Sequence, residues 1–196
     1  EIFDPNLGLA AHWKLDIDAN DSSGNGNNGT INGDPVFVSG QVDGALDLDG
    51  SSDYVNISSS SFDLTTHTTS FWIKPDILGY KIIIEPVKGT TRALGYIGLY
   101  GDGQVRHYVR SGTLTSTGKI DGMTDSLVEV DNWYHIVSIM GAAGNKIYVD
   151  GIEQTLTYLT GSPSFTESWA VIDNGNGPDH LNIGTLVYDG VGNEFF

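Results

Sequence analysis

The segment GYIGLYGDGQVRHYVR, residues 95–110, has the clearest strand pattern of the chain, since its side chains alternate in character on either side of an Asp-Gly pair. Alternation is typical of β-strands with one buried face, because successive side chains point to opposite sides of a sheet. An Asp-Gly pair supplies the positive φ angles that a tight hairpin turn requires. The stretch therefore predicts two antiparallel strands joined by a turn at Asp102 and Gly103.

The two faces of this predicted hairpin differ in chemistry. The face that we expect toward the core carries Ile97, Leu99, Val105, His107 and Val109. The opposite face carries Tyr96, Gly98, Tyr100, Arg106, Tyr108 and Arg110. Tyrosine rings stack on sugars, and arginine grips a carboxylate or sulfate through two hydrogen bonds. The tyrosines and arginines are therefore candidate ligand-binding residues for an acidic polysaccharide, and the alternative is a surface ladder stabilised by cation–π contacts.

Alternation of the same kind recurs along the rest of the chain. Together with the hairpin it gives eight strand candidates, the others being residues 11–16, 45–50, 53–58, 70–75, 133–140 and 145–151. The remaining Asp-Gly pairs predict turns at 43–44, 49–50, 121–122, 150–151 and 189–190. No segment has sustained helical periodicity, and the connections are too short for helical crossovers. We therefore predict an all-β fold of antiparallel strands, built as a two-sheet β-sandwich or jelly roll.

The composition bounds the domain and its partners. The 196 residues are 39% hydrophobic, which is enough for one core, and we predict a single domain over residues 1–196. Acidic residues outnumber basic ones by 25 to 9, so the formal charge of -16 disfavours nucleic acid and anionic membrane surfaces. All three arginines lie between Arg92 and Arg110. The chain has no cysteine for a disulfide, and no apolar run of about 18 residues that would insert into a membrane.

Several motifs in a fixed order carry a family resemblance. They are the opening at residues 9–57, SFWIKP at 70–75, DNWYHIV at 131–137, KIYVDG at 146–151 and LNIG at 181–184. In this order the chain resembles LamG-like domains, the laminin G-like branch of the concanavalin A-like lectins and glucanases. The resemblance covers nearly the whole chain and implies a concanavalin A-like jelly roll.

The carboxyl end departs from that family pattern. Members of the family close with a strand of the type Gly-x-Ile-Asp-Glu-Val-x-Ile-Tyr, whereas this chain stops at GNEFF, residues 192–196. We therefore expect the family's last strand to be absent. Because an unfilled sheet edge is prone to association, another chain segment or another protein is an expected partner at that edge.

The loop ANDSSGNGNNGTING, residues 19–33, is too rich in polar and turn-forming residues for a helix or a strand. Calcium prefers oxygen ligands, which Asp, Asn and backbone carbonyl groups supply. The resemblance implies a structural calcium ion here, with Asp21 as the side-chain ligand and Asn25 and Asn28 nearby. The alternative is a cluster of Asx turns that satisfies its own backbone without a metal.

The sequence lacks a convincing catalytic pair. Glucanases of the resembling superfamily use a strand of the type Glu-x-Asp-x-x-Glu, and the matching segment EVDNWY has Glu129 and Asp131 but Tyr134 in place of the second Glu. Retaining hydrolysis requires two carboxylates about 5 Å apart. The histidines have no metal-ligand spacing, and His135 shares a predicted core face with Trp133. We therefore predict that the domain is not an enzyme.

These observations together predict a noncatalytic extracellular binding module, secreted or on a cell surface, with a polysaccharide or another glycan as the leading ligand. Trp169, which we expect in a loop, is a further candidate ligand contact. The alternative is an adhesive or structural module of a cell-surface protein, with another protein as its partner.

Overall fold

The structure is a computed structural model that describes residues 8–58, 62, 66–88, 92–93, 95–110, 118–141, 144–162, 164, 178–187 and 193–195. These residues form strands and no helix, so none of them forms a helix that could cross a bilayer. The strands are β1 (Gly29–Asn32), β2 (Val36–Ser39), β3 (Gly44–Asp47), β4 (Tyr54–Ser58), β5 (His67–Ile73), β6 (Lys81–Lys88), β7 (Arg92–Ala93), β8 (Gly95–Tyr100), β9 (Gln104–Arg110), β10 (Gly118–Leu127), β11 (Tyr134–Met140), β12 (Lys146–Val149), β13 (Ile152–Glu153), β14 (Leu156–Thr160), β15 (His180–Ile183), β16 (Thr185–Val187) and β17 (Asn193–Phe195).

Two sheets form the body of the fold. The large sheet has nine strands in the order β1-β4-β15-β6-β8-β9-β10-β14, with β7 beside β6. The small sheet has four strands in the order β13-β12-β11-β5, and two further hairpins pair β2 with β3 and β16 with β17. The strand pairs are antiparallel, which confirms the predicted all-β sandwich.

The core lies between the two sheets. The large sheet contributes Ile57, Ile97, Leu99, Val105 and Val109, and the small sheet contributes Ile136, Met140 and Ile147. Each of these side chains is fully buried. Burial of a large aliphatic side chain stabilises a fold by about 1.5 to 3 kcal/mol, so this shared core holds the two sheets together and leaves each with one outer face.

The predicted hairpin forms from β8 and β9. Tyr96 lies opposite Tyr108, and Gly98 lies opposite Arg106. A glycine is required at position 98 because a Cβ there would lie 2.2 Å from the backbone oxygen of Lys81 on the adjacent strand β6. The close approach of β6 therefore explains why a glycine lies between the two tyrosines on the outer face of β8.

The face of β11 that packs against the core is not the one that we predicted. Ile136, Ser138 and Met140 are buried, whereas His135 is only half-buried. The prediction of a core histidine is therefore wrong: His135 lies on the outer face of the small sheet, where its Nε2 is 2.8 Å from the Ser70 hydroxyl. Both faces of this strand are largely apolar in sequence, so alternation alone could not identify the buried one.

Two other local predictions are also wrong. Residues 11–16 form one isolated bridge, between Trp13 and Asp21, instead of a strand. The pair at 121–122, which we predicted as a turn, lies inside β10. At the carboxyl end β17 pairs with β16, and the absence of the family's last strand stays a prediction.

Candidate functional site

Six side chains gather on the outer face of the large sheet, and we name this group the tyrosine–arginine cluster. Its members are Tyr80, Tyr96, Tyr100, Arg106, Tyr108 and Asp121. Those on β8 and β9 point outward because alternating residues such as Ile97 and Val105 enter the core. Strand register then brings three strands together, since Tyr96 lies opposite Tyr108 and Tyr108 lies opposite Asp121.

An ion pair forms the centre of the cluster. Arg106 Nε donates to Asp121 Oδ1 at 2.7 Å, and Arg106 Nη2 donates to Asp121 Oδ2 at 2.6 Å. The two side chains are only 12% and 10% exposed. Burial alone would lower the pKa of Arg106, but the hydrogen bonds with the Asp121 carboxylate raise it above its ordinary value. The guanidinium group therefore stays charged and bound to Asp121.

Tyrosine rings surround the guanidinium group of Arg106. The Arg106 Cζ atom lies 4.6 Å from the ring centroid of Tyr100, 5.3 Å from that of Tyr108 and 5.5 Å from that of Tyr96. Tyr96 and Tyr108 stack with their centroids 5.1 Å apart. Tyr80 packs edge-on against Tyr96, with 5.6 Å between the centroids. The cation–π contacts considered as an alternative in the sequence analysis are therefore present.

Exposure differs sharply among the four rings. Tyr96 is 4% exposed, and burial raises the pKa of its hydroxyl. Tyr80 and Tyr108 are half-buried, and Tyr100 is 36% exposed. The cluster thus has a buried base formed by Tyr96 and the ion pair, and an aromatic rim that solvent or a ligand can reach.

The structure brings four of the six predicted ligand-binding residues together, namely Tyr96, Tyr100, Arg106 and Tyr108. Arg110 ends β9 as predicted, but its side chain is outside the described part of the structure. Trp169 lies outside the described residues, and its predicted role is untested.

Sequence reasoning missed Tyr80 and Asp121. Asp121 is one of 25 acidic residues, and its Asp-Gly pair is typical of a turn. Only the pairing of β10 with β9 places it opposite Tyr108. Tyr80 precedes β6 and reaches the cluster because β6 pairs with β8, which is a contact that no local pattern predicts.

A second polar group on the outer face of the large sheet is closed to solvent. Asn56 Nδ2 donates to Asn182 Oδ1 at 2.8 Å, and Asn182 Nδ2 donates to Glu85 Oε1 at 3.1 Å. Glu85 is fully buried and Asn182 is 2% exposed. These bonds link β4, β15 and β6, so the group stabilises strand pairing and presents little surface to a ligand.

Asp21 in the loop at residues 19–33 bonds to the backbone. Its Oδ1 accepts the N–H groups of His12 and Ser23, and its Oδ2 accepts that of Asn27, each at 2.9 Å. Burial opposes ionisation, but these hydrogen bonds lower the pKa of Asp21 to about 2. The carboxylate thus stabilises the turns of its own loop, as the Asx-turn alternative expects.

The two asparagines predicted near a calcium ion also face backbone groups. Asn28 Oδ1 accepts the N–H of Asp21 at 2.9 Å, and Asn25 Nδ2 donates to the carbonyl of Leu9 at 2.8 Å. Within the described residues, no three acidic or histidine side chains gather as metal ligands. This arrangement fits hydrogen-bonded turns better than oxygen atoms converging on an ion, and calcium binding stays a prediction.

The segment compared with the glucanase motif serves as a connection in this structure. The hydroxyl of Tyr134, which stands in place of the second carboxylate, accepts the N–H of Glu129 at 3.0 Å. Asp131 has a φ of 63° and donates its N–H to the carbonyl of Pro75. The tyrosine that replaces the catalytic residue type therefore holds the turn before β11.

Comparison with known proteins gives a family and a set of folds. A model described as Laminin_G_3, concanavalin A-like lectin/glucanases superfamily, matches residues 49–185. No curated protein sequence matches the chain.

Solved structures share the fold at low sequence identity. Domain 4 of AbnA, a GH43 extracellular arabinanase from Geobacillus stearothermophilus in complex with arabinotriose, has 21% identity and a TM-score of 0.68, covering 95% of this chain and 86% of that one. The binding domain of Paraclostridial Mosquitocidal Protein 1 has 18% identity and a TM-score of 0.62, covering 84% of this chain and 41% of that one. The binding domain of botulinum neurotoxin DC with rat synaptotagmin II has 11% identity and a TM-score of 0.63, covering 98% and 45%. The chain thus spans less than half of each toxin domain.

Proposed function

The chain belongs to the concanavalin A-like lectin/glucanase superfamily, and from this premise we propose that it is a noncatalytic extracellular module that binds a glycan at the tyrosine–arginine cluster. Fold alone is a weak argument for function. The proposal is therefore supported by the site, and the arabinotriose complex of the similar AbnA domain indicates that this fold can serve sugar binding.

The observation that carries the proposal is the aromatic rim above a hydrogen-bonding base. Tyr80, Tyr100 and Tyr108 present partly exposed rings on a sheet face, beside the carboxylate and guanidinium of the ion pair. A sugar ring has an apolar face that stacks on tyrosine and hydroxyl groups that bond to polar side chains. The cluster supplies both kinds of contact within one small surface.

A protein partner is the second candidate function, and a feature of the small sheet favours it. Trp72 is 42% exposed on the outer face of that sheet and lies against His135, with 5.0 Å between ring centroids. Exposed tryptophan is a common anchor in protein interfaces. An adhesive module would use this face, on the opposite side of the sandwich from the cluster.

Matched variants separate the two candidates. Tyr100→Ala and Trp72→Ala each remove a partly exposed aromatic ring, but from opposite faces of the sandwich. With binding to arabinan, arabinoxylan, galactan and β-glucan measured by affinity electrophoresis and calorimetry, we expect Tyr100→Ala to weaken retention about tenfold. We expect Trp72→Ala to bind as the unchanged protein does. Retention that depends on Trp72 alone, or no retention on any glycan, would contradict the proposed site.

A further inference from the structure

The ion pair in the cluster changes which glycans the site can accept. An arginine without a partner would bind a carboxylate or a sulfate group of a ligand, and this is what the sequence of the hairpin predicted for Arg106. In the structure the guanidinium already holds a carboxylate, through two hydrogen bonds with Asp121. We infer that the tyrosine–arginine cluster selects neutral glycans and rejects anionic ones, an inference that rests on the proposed function.

The geometry of the guanidinium supports this selection. A bidentate bond uses the planar fork with which arginine recognises carboxylates, and here Asp121 fills the edge formed by Nε and Nη2. An anionic ligand would have to displace that partner. Displacement is unfavourable because Asp121 is 10% exposed and would remain buried without its cation.

The faces of the guanidinium are covered as well. Tyr100, Tyr108 and Tyr96 approach Arg106 with ring centroids within 5.5 Å of its Cζ atom. Arg106 thereby orients three rings at once, and we assign it the role of a positioning residue for the aromatic rim. In this role its charge organises the site from within and is not offered to a ligand.

Charge outside the cluster acts in the same direction. The pair of Arg106 with Asp121 is neutral as a unit, while the chain carries a formal charge of -16. A polyanion approaching the rim therefore meets a repulsive field. The positive charge of Arg106 does not offset this field, because Asp121 already neutralises it. A neutral sugar meets no such barrier, and its hydroxyl groups can both donate to Asp121 and accept from tyrosine hydroxyls.

The first test compares neutral and anionic polysaccharides on the unchanged protein. Arabinan, galactan and β-glucan serve as neutral probes, and polygalacturonate, alginate and heparin as anionic probes, at low ionic strength. We expect retention by at least one neutral probe to be about tenfold or more above that by any anionic probe. Salt-sensitive retention by the anionic probes would overturn the inference and leave glycan binding intact, while retention by neither class would overturn the proposed function as well.

The second test is a substitution that we expect to create binding to an anionic polysaccharide. Asp121→Asn releases the charge of Arg106, so we expect it to acquire salt-sensitive retention on polygalacturonate that the unchanged protein lacks. Asp125→Asn is the matched control, because it removes the same charge from an exposed position on the same strand. Circular dichroism checks that both variants are folded, and if Asp121→Asn is not, the comparison of neutral and anionic probes on the unchanged protein decides the inference. A folded Asp121→Asn variant that ignores polygalacturonate, or an equal gain in Asp125→Asn, would contradict the assigned role of the ion pair.

Discussion

The tyrosine–arginine cluster and the loop at residues 19–33 each contain a central aspartate, but the two carboxylates have different partners. Asp121 bonds to the side chain of Arg106 on the neighbouring strand. Asp21 bonds to three backbone N–H groups within and beside its own loop. The sequence made both regions candidate ligand sites, and the structure shows that their polar atoms face different partners.

The contrast between the two carboxylates shows how a polar cluster becomes available to a ligand. In the loop, short side chains fold back on the nearby backbone, which satisfies both and leaves few groups directed outward. On a strand, backbone groups are already paired across the sheet, so side chains bond to one another and stand on its outer face. Ligand-facing surface is therefore expected on the large sheet, and the loop is expected to stabilise the fold.

The largest expected effect comes from removing the carboxylate in the cluster. Asp121→Ala leaves the buried guanidinium of Arg106 without its partner, and we expect a loss of about 3 to 4 kcal/mol in the free energy of unfolding. Denaturation in urea measures this. Adding Arg106→Met to that variant should restore much of the stability, because no buried charge is then left alone. A loss below about 1 kcal/mol, as for an exposed ion pair, would contradict the assignment of a buried ion pair to the cluster.

Acid should affect the sheet before it affects the loop. His107 lies between Arg106 and Tyr108 on the core side of β9, fully buried, and neither ring nitrogen has a hydrogen-bond partner among the described residues. Burial, with a smaller contribution from His67, lowers the pKa of His107 to about 3. Because the unfolded chain binds this proton near pH 6.5, stability should fall by about 2 kcal/mol from pH 7 to pH 5.

The carboxylate of Asp21 provides the contrast in this titration. Its pKa of about 2 is below that of the unfolded chain, so its contribution to stability persists above pH 4 and is lost only as the pH falls toward 2. We expect His107→Leu to flatten the stability profile between pH 7 and pH 5, as measured by thermal unfolding. An unchanged slope in that variant would mean that another group titrates there.

Removing the loop carboxylate should have a smaller effect than removing Asp121. Asp21→Ala frees three backbone N–H groups, but water reaches the loop and can bond to them, so we expect a loss of about 1 to 1.5 kcal/mol in the free energy of unfolding. Asp18→Ala is the control, since that exposed carboxylate accepts hydrogen bonds from Asn20 alone among the described residues. Equal losses in the two variants would show that the backbone bonds of Asp21 are not special.

Calcium is expected to produce the smallest effect. Because the oxygens of Asp21 and Asn28 already accept hydrogen bonds, we expect calcium added to chelator-treated protein to raise the unfolding midpoint by no more than about 2 °C. Calorimetric titration and thermal unfolding measure this together. A one-to-one isotherm with a clear rise in the midpoint would support the calcium prediction and show that the loop rearranges around the ion.

Sequence reasoning was most accurate where the structure is local. The alternation and Asp-Gly pair of residues 95–110 predicted the hairpin and the outward side of Tyr96, Tyr100, Arg106 and Tyr108, because side-chain direction in a strand follows from a period of two. The same reasoning failed for His135, since both sides of β11 are apolar and only packing against the other sheet selects the buried one.

The all-β class, the hairpin, the acidic composition and the family resemblance could be predicted from the sequence, because each depends on composition or on neighbours along the chain. The bond between Arg106 and Asp121 and the place of Tyr80 in the cluster depend on the fold, because strand register brings together residues that are distant in sequence. The same pairing changes the glycan that we expect at the site from an acidic one to a neutral one. An arginine has the same chemistry in every sequence, and its use depends on which partner the fold places beside it.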